Sequence, residues 1–115
     1  MQYLLLIYDD EKKWAALPEA ELRTLMAEFN QFTAEIQKSG HFVGGNRLQS
    51  VANATTVRVR DGKTQMTDGP FAETREQLGG YYLVNAKNLD EATAIAARIP
   101  SAKLGSIEVR PLWSM

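Results

Sequence analysis

The sequence has 115 residues, 44% of them hydrophobic and 23% charged, with 13 lysine and arginine against 14 aspartate and glutamate. That length fits one domain, residues 1–115, without a second independent core, and the near-zero charge lacks the electrostatic footprint of a nucleic-acid binder. With no cysteine, disulfides, thiolate metal sites and cysteine nucleophiles are excluded.

Residues 3–8 form an apolar run of strand length, ended by Asp9, Asp10 and Glu11. The run has no basic segment before it and is too short for a signal-peptide core or a membrane span, so a cytoplasmic, membrane-free protein is expected. A helix follows, with Pro18 at its first position and Glu19 and Glu21 at the positive end of its dipole. Leu22, Leu25, Met26, Phe29 and Ile36 keep helical spacing, Phe32 falls on the same stripe, and Lys38 and Gly40 mark the end. Residues 41–49 form a weaker strand, carrying Phe42 and Val43 and interrupted by Gly44 and Gly45.

The next unit is a hairpin. Thr55, Val57 and Val59 alternate with Thr56, Arg58 and Arg60, and Asp61-Gly62 then turns the chain into residues 63–67. Arg58, Arg60 and Lys63 read as one solvated strand face. Residues 81–86 make another apolar strand. A second helix starts near Asn88, which has capping-box spacing to Glu91, with Asp90 as an alternative cap. Ala92, Ile95, Ala96 and Ile99 supply its apolar face and Pro100 ends it. Residues 106–112 close the chain as a strand, with Ile107 and Val109 on one face.

Apart from the hairpin, this order is the ferredoxin-like β-α-β-β-α-β arrangement, an α+β fold. Two helices cover one face of such a sheet, and the other face is normally polar. Here both parities of the first strand are apolar: Tyr3, Leu5 and Ile7 on one, Leu4, Leu6 and Tyr8 on the other. Tyr81 and Leu83 against Tyr82 and Val84 repeat the pattern. An apolar sheet face without a helix predicts a homodimer packed sheet to sheet.

Four pieces of the chain carry a family resemblance: the start QYLLLIYDDE with Trp14, the middle ATTVRVRDGKT, the signature TDGPFAETREQLGGYYLV, and the end LDEATAIAARIPSAKLGSIEVRPLW. On these the sequence resembles the DGPF subgroup of the YCII-related proteins along essentially its whole length. The resemblance implies a ferredoxin-like fold that dimerises as an α+β barrel. It also implies a regulatory association, since such proteins are often encoded beside, or fused to, extracytoplasmic-function sigma factors. More distant YCII relatives are thought to use a His-Asp pair between the helices and the sheet, and one branch performs elimination chemistry. This sequence departs from that pair. No histidine falls within residues 25–32, and the relatives' Asp-Pro stands here as Ile99-Pro100. Arg75 replaces the lysine more usual in the signature, offering a bidentate fork rather than a titratable amine.

Asp68, Gly69 and Pro70 have the chemistry of a turn, which Phe71 would pin to the core. The functional alternative makes Asp68 an acceptor or general base at a pocket mouth. Glu73, Thr74, Arg75 and Glu76 precede a strand, as binding groups often do; Arg75 either forks onto a ligand's carboxylate or phosphate or pairs with Glu73, Glu76 or Asp68. Gly79-Gly80 is not a phosphate loop, because a strand follows and no Lys-Ser/Thr does. It reads as close backbone approach or a bulge, and together with Gly44-Gly45 it either keeps side chains out of a small cavity or curves the sheet. Tyr81, with Tyr8, Trp14, Tyr82 and Trp113, lines a pocket or packs in the core or dimer. His41 is the single histidine and no carboxylates are spaced to complete a zinc site with it, and no serine has the nucleophile-elbow context of a triad. The expectation is a cofactor-free homodimer without metal, with a ligand-sensing or regulatory accessory role in association with an extracytoplasmic-function sigma factor. The alternatives are a cofactor-independent enzyme, with Asp68 as base and Arg75 as anion anchor, and a protein–protein interaction module.

Overall fold

The computed structural model describes residues 1–114. Among the described residues the strands and α-helices run in the order β1 (Gln2–Asp9), α1 (Glu11–Ala15), α2 (Glu19–Lys38), β2 (Phe42–Arg47), β3 (Thr55–Arg60), β4 (Lys63–Asp68), β5 (Gln77–Asn85), α3 (Leu89–Ala97) and β6 (Ser106–Pro111). The main sheet is antiparallel in the order β2-β5-β1-β6, and β3-β4 form a separate two-stranded sheet. This is the ferredoxin-like arrangement with an inserted hairpin.

The alternation of β1 decides which side becomes the core. Tyr3, Leu5 and Ile7 are buried against Phe32 and Ile36 of α2 and Ala92, Ile95 and Ala96 of α3. Leu4, Leu6 and Tyr8 lie on the opposite face and stay partly exposed, opposite Leu83, Tyr81 and Leu78 of β5. The buried parity does not stop with the hydrophobic residues: it carries Asp9 inside as well.

Several boundaries differ from the sequence reading. Pro18 caps α2 from outside, with extended backbone (φ −56°, ψ 146°), instead of opening it. The five-residue α1 is too short for a periodicity signal; it exists because the Asp10 carboxylate accepts from the Lys12 N–H at 3.0 Å. The strand expected from Tyr81 starts at Gln77, so both Gly79 and Gly80 lie inside it, next to a register shift opposite Ile7 and Tyr8. Gly40 (φ +82°) ends α2, and Asn88 caps α3 by accepting from the Glu91 N–H at 2.9 Å.

The hairpin turns on Asp61 (φ 52°) and Gly62 (φ 73°), the pair of positive angles that matches strand twist. After it, Gly69 (φ +98°) donates to Ala54 O at 2.7 Å, and its carbonyl accepts from the Thr56 hydroxyl at 2.8 Å. These bonds close the Asp68-Gly69-Pro70 turn. Phe71, expected to pin that turn to the core, is instead 78% exposed, because the Gly69–Ala54 backbone bond and the Thr56 hydroxyl complete the turn without it.

Candidate active site

A cleft of about 520 Å³ opens between α1 and α2 on one side and the helix-facing side of β2 and β5 on the other. Its walls are aromatic. Trp14 of α1 lies 6.2 Å from Phe29 of α2, and Tyr82 of β5 packs edge-on to Phe32 at 5.2 Å and to Phe42 at 6.4 Å. The Tyr82 hydroxyl is fixed at 2.7 Å from the Thr33 hydroxyl, and Thr33 in turn donates to Phe29 O at 2.9 Å. Glycines let the strands come close beneath this space. A Cβ on Gly45 would sit 2.8 Å from Tyr81 O and 3.0 Å from the Tyr82 ring, and one on Gly80 would sit 3.0 Å from Asn46 O. Side chains are therefore excluded at Gly45 and Gly80 by close approach of the paired strands, whereas a Cβ on Gly44 would meet nothing within 4 Å and one on Gly79 only Ile7 O at 4.0 Å.

Three charged residues line the cleft. Glu11 is engaged at both oxygens, accepting from the Ser50 hydroxyl at 2.8 Å and the Val51 N–H at 3.1 Å. Arg47 lies over the Trp14 ring, 5.7 Å from its centroid, and one of its N–H groups points at the Met26 sulfur at 3.8 Å. Asp9 is 7% exposed at the end of β1. Its Oδ1, the Trp14 indole nitrogen and the Ser101 hydroxyl are all buried without a hydrogen-bond partner of good geometry. Gly105 leaves room for this carboxylate, since a Cβ there would sit 2.6 Å from Asp9 Oδ1 and collide with Tyr8 O.

Burial pushes the Asp9 pKa up from the ordinary aspartate value, the nearby Ser101 and Trp14 groups pull it back, and the charge of Glu76 adds to the rise. Such a carboxyl exchanges its proton nearer neutral pH than an exposed aspartate does, the property required of a general acid or base. Among the described residues, no group of three His, Cys, Asp or Glu side chains is placed to hold a metal ion.

Of the residues predicted from the sequence, the aromatic candidates Trp14, Tyr81 and Tyr82 line this cleft, and the polar candidates Asp68, Glu73, Thr74, Arg75 and Glu76 do not. Asp68 ends β4 in solvent, and Glu73, Thr74 and Arg75 are exposed in the following loop. Arg75 forms no ion pair among the described residues. The Thr74 hydroxyl donates to Glu76 O at 2.5 Å, and the Glu76 carboxylate accepts from the Ser106 hydroxyl at 2.8 Å. Tyr81 borders the cleft through β5, and its hydroxyl accepts from the Asn46 amide at 2.8 Å. His41 lies apart, bridging Ser39 at 2.7 Å and Glu91 at 3.2 Å.

Asp9 and Arg47 were missed. A signal for Asp9 was present: it extends the buried series Tyr3, Leu5, Ile7 by one further step of two. Arg47 carries no comparable signal, because its place over Trp14 depends on α1, which leaves no periodicity.

Comparison with solved structures finds the 5-chloro-2-hydroxyhydroquinone dehydrochlorinase of Burkholderia phenoliruptrix AC1100, in complex with 2,5-dihydroxybenzoquinone, at a TM-score of 0.57. The likeness covers 98% of this chain and 94% of that one at 13% identity, and so shows the shared fold. Among curated proteins, an uncharacterised protein of Rhizobium meliloti (strain 1021) is 38% identical over 114 residues, covering 97% of this chain and 92% of the relative. The YCII-related domain matches residues 1–115. With the whole length matched, the chain belongs to the YCII-related family.

Proposed function

We propose that the protein binds a small planar organic molecule in the cleft and that Asp9 transfers a proton to or from it without a cofactor. The observation that carries this reading is an aromatic-walled space of about 520 Å³ bordered by a buried, incompletely bonded carboxyl. Apolar clefts with a few polar groups and a perturbed acid are the usual setting of small-molecule sites. The dehydrochlorinase of similar fold was solved with a planar quinone, which fits the same class of ligand. Aromatic walls favour flat rings by stacking and edge contacts.

A ligand-sensing or accessory role beside an extracytoplasmic-function sigma factor is the regulatory form of the same reading. It rests on the resemblance of TDGPFAETREQLGGYYLV to the DGPF subgroup, and the cleft supports its binding half alone. In either form Tyr81 borders the cleft from its strand, with its side chain beside Leu6 on the open sheet face, while Asp68, Glu73, Thr74, Arg75 and Glu76 act through the loop that leads to Gln77. The protein works as a cytoplasmic homodimer, with Leu4, Leu6, Tyr8, Tyr81 and Leu83 of two copies packed face to face. Sedimentation at micromolar concentration tests that assembly: a dimer is expected, and a stable monomer refutes it.

The ligand site is tested by titrating the protein with planar phenols, including 2-naphthol, while backbone amide shifts are followed. Saturable shifts at Trp14, Phe29, Gly45 and Gly80 are expected. Shifts confined elsewhere, or none, would overturn the reading.

A further inference from the structure

We infer that the ligand of the cleft is a planar organic acid whose carboxylate is held by Arg47. The inference rests on the cleft reading and adds the ligand's charge. Arg47 stands opposite Gly80 in the β2-β5 register, on the helix side of the sheet, and so reaches over Trp14 instead of into the open face. The only acceptor its guanidinium meets among the described residues is the Met26 sulfur, and a thioether is a weak one. It forms no ion pair among those residues.

The other charged groups of the cleft do not answer it. Glu11 has both carboxylate oxygens engaged by Ser50 and Val51. Asp9 is buried beside Ser101, and its burial disfavours the charged form. The cleft therefore holds one guanidinium, with five N–H donors in a planar fork, and no free anion to meet it. Carboxylates match that fork with two parallel bonds, and a single cation matches a single negative charge. The ring of the acid would lie among Trp14, Phe29 and Tyr82.

The test compares a carboxylate with its uncharged isostere, 2-naphthoate with 2-naphthamide, by calorimetric titration of the full chain and of Arg47→Gln and Arg47→Lys. The acid is expected to bind the unaltered protein at least about tenfold more tightly than the amide. That preference is lost in Arg47→Gln, is partly kept in Arg47→Lys, and shrinks as salt is raised because Arg47 is exposed. Equal binding of acid and amide by the unaltered protein overturns the inference, as does an acid preference that survives in Arg47→Gln. If neither naphthalene binds while the planar phenols do, the anion assignment fails and the cleft reading stands. If neither class binds, both fail. Should Arg47→Gln not fold, the acid-against-amide comparison on the unaltered protein decides alone.

Discussion

The hairpin end and the cleft end of this molecule show how differently one chain can use polar and apolar residues. In β3-β4 the pairing is regular, yet Val57 and Val59 are each 58% exposed and Met66 is 73% exposed. Backbone hydrogen bonds and two positive-φ residues hold that arm in shape, and side chains add little. In the cleft the same residue classes are constrained from all sides: Thr33 orients Tyr82, Gly45 and Gly80 admit neighbouring backbone, and burial alters the acidity of Asp9. The Asp68-Gly69-Pro70-Phe71 turn that opens the DGPF signature belongs to the first kind of region, whereas residues of its second half, between Gln77 and Tyr82, line the cleft. The groups capable of chemistry belong to the second, and they come from five elements, β1, α1, α2 and β2 in succession and the distant β5.

Truncation should separate the two regions most strongly. Leu5→Ala removes a fully buried side chain from the floor of the core and should cost about 2–5 kcal/mol in urea denaturation. Val59→Ala on the hairpin should change stability by about 0.5 kcal/mol or less. Comparable losses would mean that the arm is packed as firmly as the core, and the contrast would fail.

A smaller effect sharpens the electrostatic half of the comparison. Because burial raises the folded-state pKa of Asp9 above its unfolded value, protonation favours the fold. That contribution is fully present below the ordinary aspartate pKa and is lost as pH rises through the raised folded value. Asp9→Asn should therefore melt at a higher temperature than the unaltered protein at neutral pH, and the gain should vanish in acid. Stabilisation of Asp9→Asn that is the same at every pH would contradict a raised carboxyl.

The fold was largely legible in the sequence because strand alternation, the Asp61-Gly62 turn and the Asn88 cap act through neighbours. The two apolar parities of β1 likewise announced an open sheet face. What escaped was whatever depends on elements meeting in space. Trp14 could be suspected of lining a pocket, but Arg47 stacking on it could not, since α1 is one turn long and has no period to detect. Phe71 went the other way: an aromatic in a turn suggested an anchor, and the turn is closed by Gly69, Ala54 and Thr56 instead. Asp9 lay between these cases, visible only to a reader willing to extend a hydrophobic alternation onto a charged residue.

The central claim is that binding occurs in the cleft and not at the DGPF turn. The titration with planar phenols tests it most directly when amide shifts are compared between the two regions. Saturable shifts at Trp14, Phe29, Gly45 and Gly80, with Asp68, Gly69 and Arg75 unmoved, are the predicted result. Shifts centred on residues 68–75 with the cleft unmoved would contradict it.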